Sequence, residues 1–352
     1  MSEGFIPQDT PVDLTNCDQE PIHIPGRIQA FGALISVSAD WIINHVSRNI
    51  SAFIGADVQN MVGTPLVEYI DEDAIKLIRS RLPLLAGVDA VERLFAVKLT
   101  DADETFDVAV HLSGRSIIIE LERHTQNKRA DYTSYVRPMI ERIGKAETSE
   151  DLCEDAARQL RHLIGFDRVM VYQFSDDGSG EVIAESRRAG MDSFKGLHYP
   201  ATDIPKQARK LYTRNLLRII ADVSDDGIEI VPTLSPEGEP LDLPLSGTRA
   251  VSPIHLEYLK NMGIEASLSI SILRRGELWG LFACHHETPK TLSYDVRSAA
   301  ELFGQLFAFV LEQKQSDEAR LDAAGAQLLH DRLMSQLAED SSIVENFSLI
   351  VE

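Results

Sequence analysis

Cysteine is scarce in this chain, and so are positive charge and long apolar runs. Three cysteines, Cys17, Cys153 and Cys284, are scattered over 352 residues. That gives no disulfide framework and points to a reducing compartment. No apolar run is long enough to span a bilayer and no basic, apolar leader opens the sequence, so a cytoplasmic protein is expected. Only 34 Lys and Arg stand against 55 Asp and Glu, a net charge of −21. Such a chain repels phosphate, which excludes nucleic acid and anionic membrane as partners. A local cluster of arginines can still clamp a small anion. No Walker loop, dinucleotide glycine fingerprint, kinase signature or internal repeat occurs.

What is there suffices for two compact domains and a tail. Residues 1–25 are polar and proline-rich, an arm rather than a domain. Residues 26–125 follow as a β-rich unit. The runs 33–37 and 41–46 form a hairpin about Ala39-Asp40, strands at 94–99, 106–112 and 116–121 follow, and 75–85 reads as a helix. Five strands with intervening helices in about a hundred residues predict a small α/β sensor-type domain.

A charged linker at 126–131 leads to a second domain at 136–312. Its first helix carries Val136, Met139, Ile140 and Ile143 on one side. Its second, 149–163, has acids in the first turn, as the helix dipole favours. Strands are expected at 168–174, 181–185, 266–273 and 278–285, the last two joined by the Arg274-Arg275-Gly276-Glu277 turn. Between them lies a helix around Ala208 and a long, irregular, proline-rich excursion at 222–245. From Tyr294 to about residue 337 the pattern is helical, with Ala299, Phe303, Leu306 and Val310 on one stripe, continued by Leu321, Ala324, Leu328 and Met334. Such a helix leads to another domain or pairs with its own copy. Residues 313–352 read as a connecting helix and the opening of a domain that is almost wholly missing. The fold class is α+β: two α/β sensor domains with antiparallel sheets flanked by helices, and a long C-terminal helix.

The run Gly196-Leu197-His198-Tyr199-Pro200-Ala201-Thr202-Asp203-Ile204-Pro205 is the most informative stretch. Two prolines stiffen the backbone around one acid. A rigid Asp203 with an exposed carbonyl and rings nearby suits a flat ligand rich in N–H donors. Taken alone it better suits a tight loop in which Asp203 caps the helix starting near Lys206.

Arg218, Arg249, Ser252, His255, Ser267 and Ser269 all fall in the second domain. Arginine forks hold carboxylates, with serine and histidine adding neutral hydrogen bonds, although a surface salt bridge would explain each arginine as well. Alternation along Ser267-Leu268-Ser269-Ile270-Ser271 puts three hydroxyls on one strand face. On the strand Cys284-His285-His286 only Cys284 and His286 share a face, so no metal site is expected; Cys284 belongs in the core, and one histidine faces a pocket. Cys17, followed by Asp18, Glu20, Pro21 and His23, is an incidental thiol or one that adds to an electrophile. Its acidic neighbours disfavour a thiolate and no oxyanion-hole segment accompanies His23, which speaks against a cysteine hydrolase.

Five segments make the chain resemble the photosensory part of a bacteriophytochrome. They are Cys17-Asp18-Gln19-Glu20-Pro21-Ile22-His23-Ile24-Pro25-Gly26, Gly165-Phe166-Asp167-Arg168-Val169-Met170-Val171-Tyr172, the run from Leu197 to Arg209, Arg249-Ala250-Val251-Ser252-Pro253-Ile254-His255, and Leu278-Trp279-Gly280-Leu281-Phe282-Ala283-Cys284-His285-His286. The resemblance implies a PAS domain followed by a GAF domain, with the arm knotted through the excursion at 222–245 and the start of a PHY domain from about residue 316. It implies biliverdin IXα, a linear tetrapyrrole, joined by an autocatalytic thioether from Cys17 to the A-ring vinyl group, and no other enzymatic activity.

In that picture the Asp203 carbonyl meets the inner pyrrole N–H groups together with His255 and a bound water. Arg218 and Arg249 pair with the propionates, helped by Ser252, Ser267 and Ser269. Tyr172, Tyr199 and Tyr258 surround the D ring, and His285 bonds its carbonyl. Ile204, Pro205 and Tyr212 pack on or near the ring system. The implied function is red/far-red photoreception by Z/E isomerisation of the D ring. The implied partners are a second copy, through the GAF and C-terminal helices, and an output domain, commonly a histidine kinase, in the full-length protein.

The chain departs from the family pattern in three places. Ala30-Phe31-Gly32 stands for the usual Pro-His-Gly, Thr202 for a serine, and Val251 for a common hydroxyl residue. Asp203 is retained, which favours a photoactive pigment. Two other readings stay open on sequence alone: a PAS–GAF sensor of another small molecule such as a cyclic nucleotide, and an enzyme that uses Cys17.

Overall fold

The computed structural model describes residues 20–125 and 132–339. Cys17, the rest of the arm before Glu20 and its expected threading, the linker at 126–131 and the end from residue 340 lie outside the described residues.

The first domain runs through β1 (Arg27–Ile28), β2 (Gly32–Val37), β3 (Ile43–Ser47), α1 (Ser51–Ile54), α2 (Val58–Met61), α3 (Glu72–Arg81), β4 (Val91–Lys98), β5 (Thr105–Ser113) and β6 (Ser116–Arg123). The second comprises α4 (Tyr132–Ile143), α5 (Ser149–Ile164), β7 (Arg168–Phe174), β8 (Gly180–Arg187), β9 (His198–Tyr199), α6 (Lys206–Tyr212), β10 (Leu217–Ile220), β11 (Ile228–Val231), α7 (Pro253–Asn261), β12 (Ala266–Arg274), β13 (Glu277–His286) and α8 (Tyr294–Glu339). The expected helix over 75–85 starts earlier, at Glu72, and ends in a 3-10 turn at Leu82–Ala86, where Pro83 interrupts it.

Local chemistry sets these elements. Thr148 caps α5 by accepting from the Asp151 N–H at 3.1 Å, and Gly165, at φ 64°, closes it with an N–H to the Arg161 carbonyl. Between the caps, Leu152, Ala156, Leu160 and Ile164 form one buried row. The β12–β13 hairpin turns through Arg275 and Gly276, both at positive φ, the geometry that suits a two-residue loop between twisted strands.

Two antiparallel sheets result. The first has the order β1-β11-β3-β2-β6-β5-β4, and the second β10-β12-β13-β7-β8-β9. The excursion at 222–245 is not wholly irregular, because Ile228–Val231 forms β11 and joins the sheet of the first domain. Its apolar side chains explain this. Ile230, Leu241 and Leu243 are buried with Ile28, Leu34 and Ile118 on the sheet face turned away from α1–α3. The other face of that sheet packs its core on the short helices.

In the second domain, α4, α5 and α8 cover one face of the sheet around Phe282, Phe303 and Phe307. The buried row of α8 is Ala299, Phe303, Phe307 and Leu311, with Val296 and Ala300 beside it. Leu306, expected on this row, is 38% exposed, and with Leu302 and Phe309 it forms a second, outward apolar strip. At about 1.5 Å per residue α8 extends roughly 70 Å, and its last turns leave Leu321 and Leu328 exposed. Its first turns touch the other domain: Arg297 pairs with Glu122, Glu301 with Arg93, and both arginines lie over the Tyr294 ring. No helix of the described residues is long and apolar enough to cross a membrane.

Phe303 is fully buried between α8 and the sheet, with its ring 6.0 Å from Phe282. Phe303→Ala should lower unfolding free energy by about 3–5 kcal/mol, read from the urea midpoint.

Candidate functional site

The face of the second sheet turned away from α4, α5 and α8 collects the polar residues. Strand pairing sets Arg218 opposite Ser269 and Ser269 opposite Ala283, and sets Ser267 opposite His285. Directly paired residues share a face, so these side chains stand together while Leu268, Ile270, Phe282 and Cys284 fill the helical side. Helices α6 and α7 and the loop at 188–205 complete the site above this floor.

One end is aromatic. Met170, Tyr172 and Val182 cluster with Phe174, Phe194, Tyr199 and Ile204. The rings of Tyr172 and Tyr199 are 6.0 Å apart, and Phe174 meets Tyr172 edge-on at 5.2 Å. Gly180 is needed here, since a Cβ on it would overlap the Tyr172 ring. Burial, reinforced by the Asp203 charge, pushes the Tyr172 phenol up to about 12.

Asp203 does not cap α6. Pro205 holds the N-cap position of α6, which has no side-chain cap. The Asp203 carboxylate instead accepts from the Tyr258 hydroxyl at 3.4 Å, and its N–H closes a turn on the Pro200 carbonyl. Burial raises the Asp203 carboxyl above its ordinary value, and the Tyr258 hydrogen bond opposes that shift. One turn before Tyr258 on α7, His255 lies parallel to its ring at 6.1 Å.

The other end is cationic and unpaired. Arg249 is only 6% exposed, and its Nε and Nη1 have no acceptor among the described residues; Nη1 of Arg218 has none either. Arg218 spends Nη2 on the main-chain carbonyls of Arg249 and Ala250. Burial, then the neighbouring Arg249, pushes Arg218 down to about 9; burial pushes Arg249 to about 10. Both stay protonated at neutral pH. Burial and Arg218 lower His255 to about 4, and burial with Arg168 and His255 lowers His285 to about 3, so both imidazoles are neutral. Nδ1 of His285 is buried without a partner among the described residues. These orphaned donors fit a ligand with carboxylate arms and a hydrogen-bonding body.

The structure thus brings together Tyr172, Tyr199, Asp203, Ile204, Pro205, Arg218, Arg249, His255, Tyr258, Ser267, Ser269 and His285. Tyr212 ends α6, where its carbonyl accepts from the Ser271 hydroxyl at 2.7 Å and its phenol acts electrostatically on both arginines. Ser252 is engaged elsewhere, donating to Glu20 Oε2 at 2.6 Å. Cys17 lies outside the described residues. Cys284 is buried in the core, and His286 binds Asp167 at 2.7 Å.

Several contributors escaped the sequence reading. Arg168 and Glu185 form a buried ion pair at 2.6 Å, with the guanidinium over the Phe194 ring. Gln29, 3% exposed, donates to the carbonyls of Ile219 and Arg249 and accepts from the Ala221 N–H. The altered Ala30-Phe31-Gly32 entry is accommodated nearby. Ala30 N–H bonds Asp225, Phe31 packs on the second core, and a Cβ at position 32 would overlap Thr248.

Comparison with known proteins agrees with this arrangement. Residues 148–311 match the GAF domain family and residues 17–124 the PAS fold family. The bacteriophytochrome of Pseudomonas aeruginosa is 40% identical over 309 residues, covering 86% of this chain and 41% of that protein. Cyanobacterial phytochrome B of Nostoc sp. is 37% identical over 341 residues, 95% of this chain and 45% of that protein. The chain spans less than half the length of these curated relatives. Among solved structures, the chromophore-binding domain of an unusual bacteriophytochrome from R. palustris superposes with a TM-score of 0.77 at 39% identity, covering 86% of this chain and 99% of that one. A point mutant of the Stigmatella aurantiaca chromophore-binding domain gives 0.76 at 37% identity, with 84% and 99% coverage. At 39% identity over 99% of such a domain the likeness is one of descent and not of shape alone: this chain belongs to the bacteriophytochrome family, as a PAS–GAF module.

Proposed function

We propose that the chain is the sensory part of a red/far-red light photoreceptor that holds biliverdin IXα, joined by a thioether from Cys17. The observation that carries this reading is the pair of buried guanidiniums, Arg218 and Arg249, with donors left over. Burying such charges is costly until a counter-charge arrives, and a ligand with two carboxylate arms supplies it. The aromatic end and the stiff loop around Asp203 suit the flat body of the same ligand.

When bound, the bilin supplies colour and a light-driven Z-to-E isomerisation about the bond between its C and D rings. The protein's residues do the rest. Arg218 and Arg249 neutralise the propionates, and Ser267 and Ser269 offer hydroxyls on the same sheet face. The Asp203 carbonyl and the neutral His255 face the inner pyrrole N–H groups. Tyr172, Tyr199 and Tyr258 surround the D ring, and the free Nδ1 of His285 suits its carbonyl. Ile204, Pro205 and Tyr212 pack against the ring system. Ser252, taken by Glu20, ties the arm to the pocket rim; Cys17 is three residues from Glu20, a reach of roughly 10 Å. Beyond its own attachment reaction the chain is proposed to catalyse nothing.

The outward strip Leu302, Leu306 and Phe309 on α8, with Tyr135 exposed on α4, supports a homodimer through these helices. Output through a further domain, commonly a histidine kinase, and a cytoplasmic location complete the reading.

Incubation with biliverdin followed by denaturation decides it: colour should stay with the polypeptide. Cys17→Ser should still bind and colour, but release the pigment on denaturation. A chain that stays colourless with biliverdin would favour a sensor of another small molecule.

The neutral histidines set a pH dependence. His255 at about 4 and His285 at about 3 lie below the ordinary value of about 6.5 they regain on unfolding. Between those values the unfolded chain binds more protons, so stability is full above the ordinary value and falls with pH through this window. Urea midpoints of the ligand-free chain should therefore drop from pH 7.5 to 5, and His285→Gln should flatten the drop. For the dimer, Phe309→Glu should halve the mass measured by light scattering and leave biliverdin binding intact.

A further inference from the structure

The loop that delivers Arg249 to the pocket is held by the other domain. Glu120 on β6 is 3% exposed. Its Oε2 accepts from the Ser246 hydroxyl at 2.8 Å, the Thr248 N–H at 2.8 Å and the Thr248 hydroxyl at 2.5 Å. Its Oε1 accepts from the Gly247 N–H at 3.2 Å. The Ser246 hydroxyl in turn accepts from the Arg249 N–H at 3.0 Å. His111 stands by without bonding, its Nδ1 3.6 Å from Oε1. The Glu120 charge also acts on both guanidiniums, favouring their protonated forms.

The segment Ser246-Gly247-Thr248 has little stiffness of its own, with a glycine at its centre. One buried carboxylate therefore gathers the segment before Arg249, while Gln29 holds the Thr248 carbonyl at 2.7 Å and the Arg249 carbonyl at 3.2 Å from the other side. We propose that Glu120 is a positioning residue for the anionic end of the ligand: it touches no ligand and acts through Ser246 and Thr248 on Arg249. The first-domain sheet is then part of the carboxylate-binding apparatus of the second. This rests on the bilin reading above.

The discriminating probe is biliverdin against its dimethyl ester, which lacks the two carboxylates. In a Cys17→Ser background, Glu120→Gln should weaken biliverdin binding about tenfold, the equivalent of about 1.4 kcal/mol, and leave the diester within about twofold. Arg249→Ala should show the same selectivity, and the double variant should bind biliverdin no more weakly than Arg249→Ala alone. In ligand-free Glu120→Gln, amide exchange at Thr248 and Arg249 should speed up. Ser246→Ala, which breaks the link to Arg249 and keeps the carboxylate, should act in the same direction and decides the matter if Glu120→Gln does not fold. Equal weakening of both ligands would mean that Glu120 only packs, and would overturn the proposal alone, as would unchanged biliverdin affinity. A wild-type chain that binds neither ligand would overturn the bilin reading and this proposal with it.

Discussion

Two neighbouring buried guanidinium groups, whose Nη1 atoms, like the Nε of Arg249, have no hydrogen-bond acceptor among the described residues, are the constraint around which the second domain is organised. A charge in such a place has to be repaid by something, and the fold offers only partial repayment. Arg218 borrows two main-chain carbonyls; both arginines feel Glu120 at a distance. The remaining donors point to a partner that comes from outside the chain. Without that partner the neutral state of His255 and His285 makes sense as well, because a further positive charge next to Arg218 and Arg168 would raise the cost.

The same constraint explains why the two domains are not independent. The loop at 222–249 leaves the second domain, adds β11 to the first sheet, buries Leu241 and Leu243 on its outer face, and returns as the segment clasped by Glu120. Gln29 closes the circle by bonding both Ile219 on β10 and the Arg249 carbonyl. Arg249 is therefore held from both sides by residues of the first domain. A sensor domain alone would have to build that rigidity from its own loops.

Much of this was legible in the sequence where periodicity is local. The strand at Arg168–Phe174, the β12–β13 hairpin and the helix α5 follow from alternation, a positive-φ turn and caps, all within a few residues. The polar face of β12 was legible too, because alternation in Ser267-Leu268-Ser269-Ile270-Ser271 assigns faces without knowledge of the fold. What stayed hidden depends on contacts distant in sequence. Glu120 and Glu122 alternate with Ile119 and Leu121 as on any half-exposed strand, and only the second domain's return buries them. Strand β11 is four residues long between glycine and proline, too short for any period to show. On α8 the rows through Phe303 to Phe307 and through Phe303 to Leu306 are both allowed by helical spacing; the packing of Phe307 on Phe282 of the sheet decides between them. Asp203 shows the same limit. The loop alone favours a capping role, which Pro205 at the cap position and Tyr258 at the carboxylate exclude.

The floor of the pocket and the seat of the long helix are two faces of the same strands. Ser269 and Ala283 share the face that carries Arg218, while Ile270 and Phe282, their immediate neighbours, pack on Gly304, Phe303 and Phe307 of α8. A Cβ at position 304 would overlap the Ile270 side chain, so the helix backbone rides directly on that side chain of β12. Close-packed interiors transmit displacement instead of absorbing it. A change in the ligand that shifts the floor therefore crosses one strand layer before it reaches a rigid rod of roughly 70 Å. The first turns of that rod are fastened to the other domain through Arg297, Glu301 and Tyr294, so the shift has a fixed point to work against. In the proposed reading, the stiff loop around Asp203 and the buried arginines hold the ligand on one side of the layer, and α8 lies against the other.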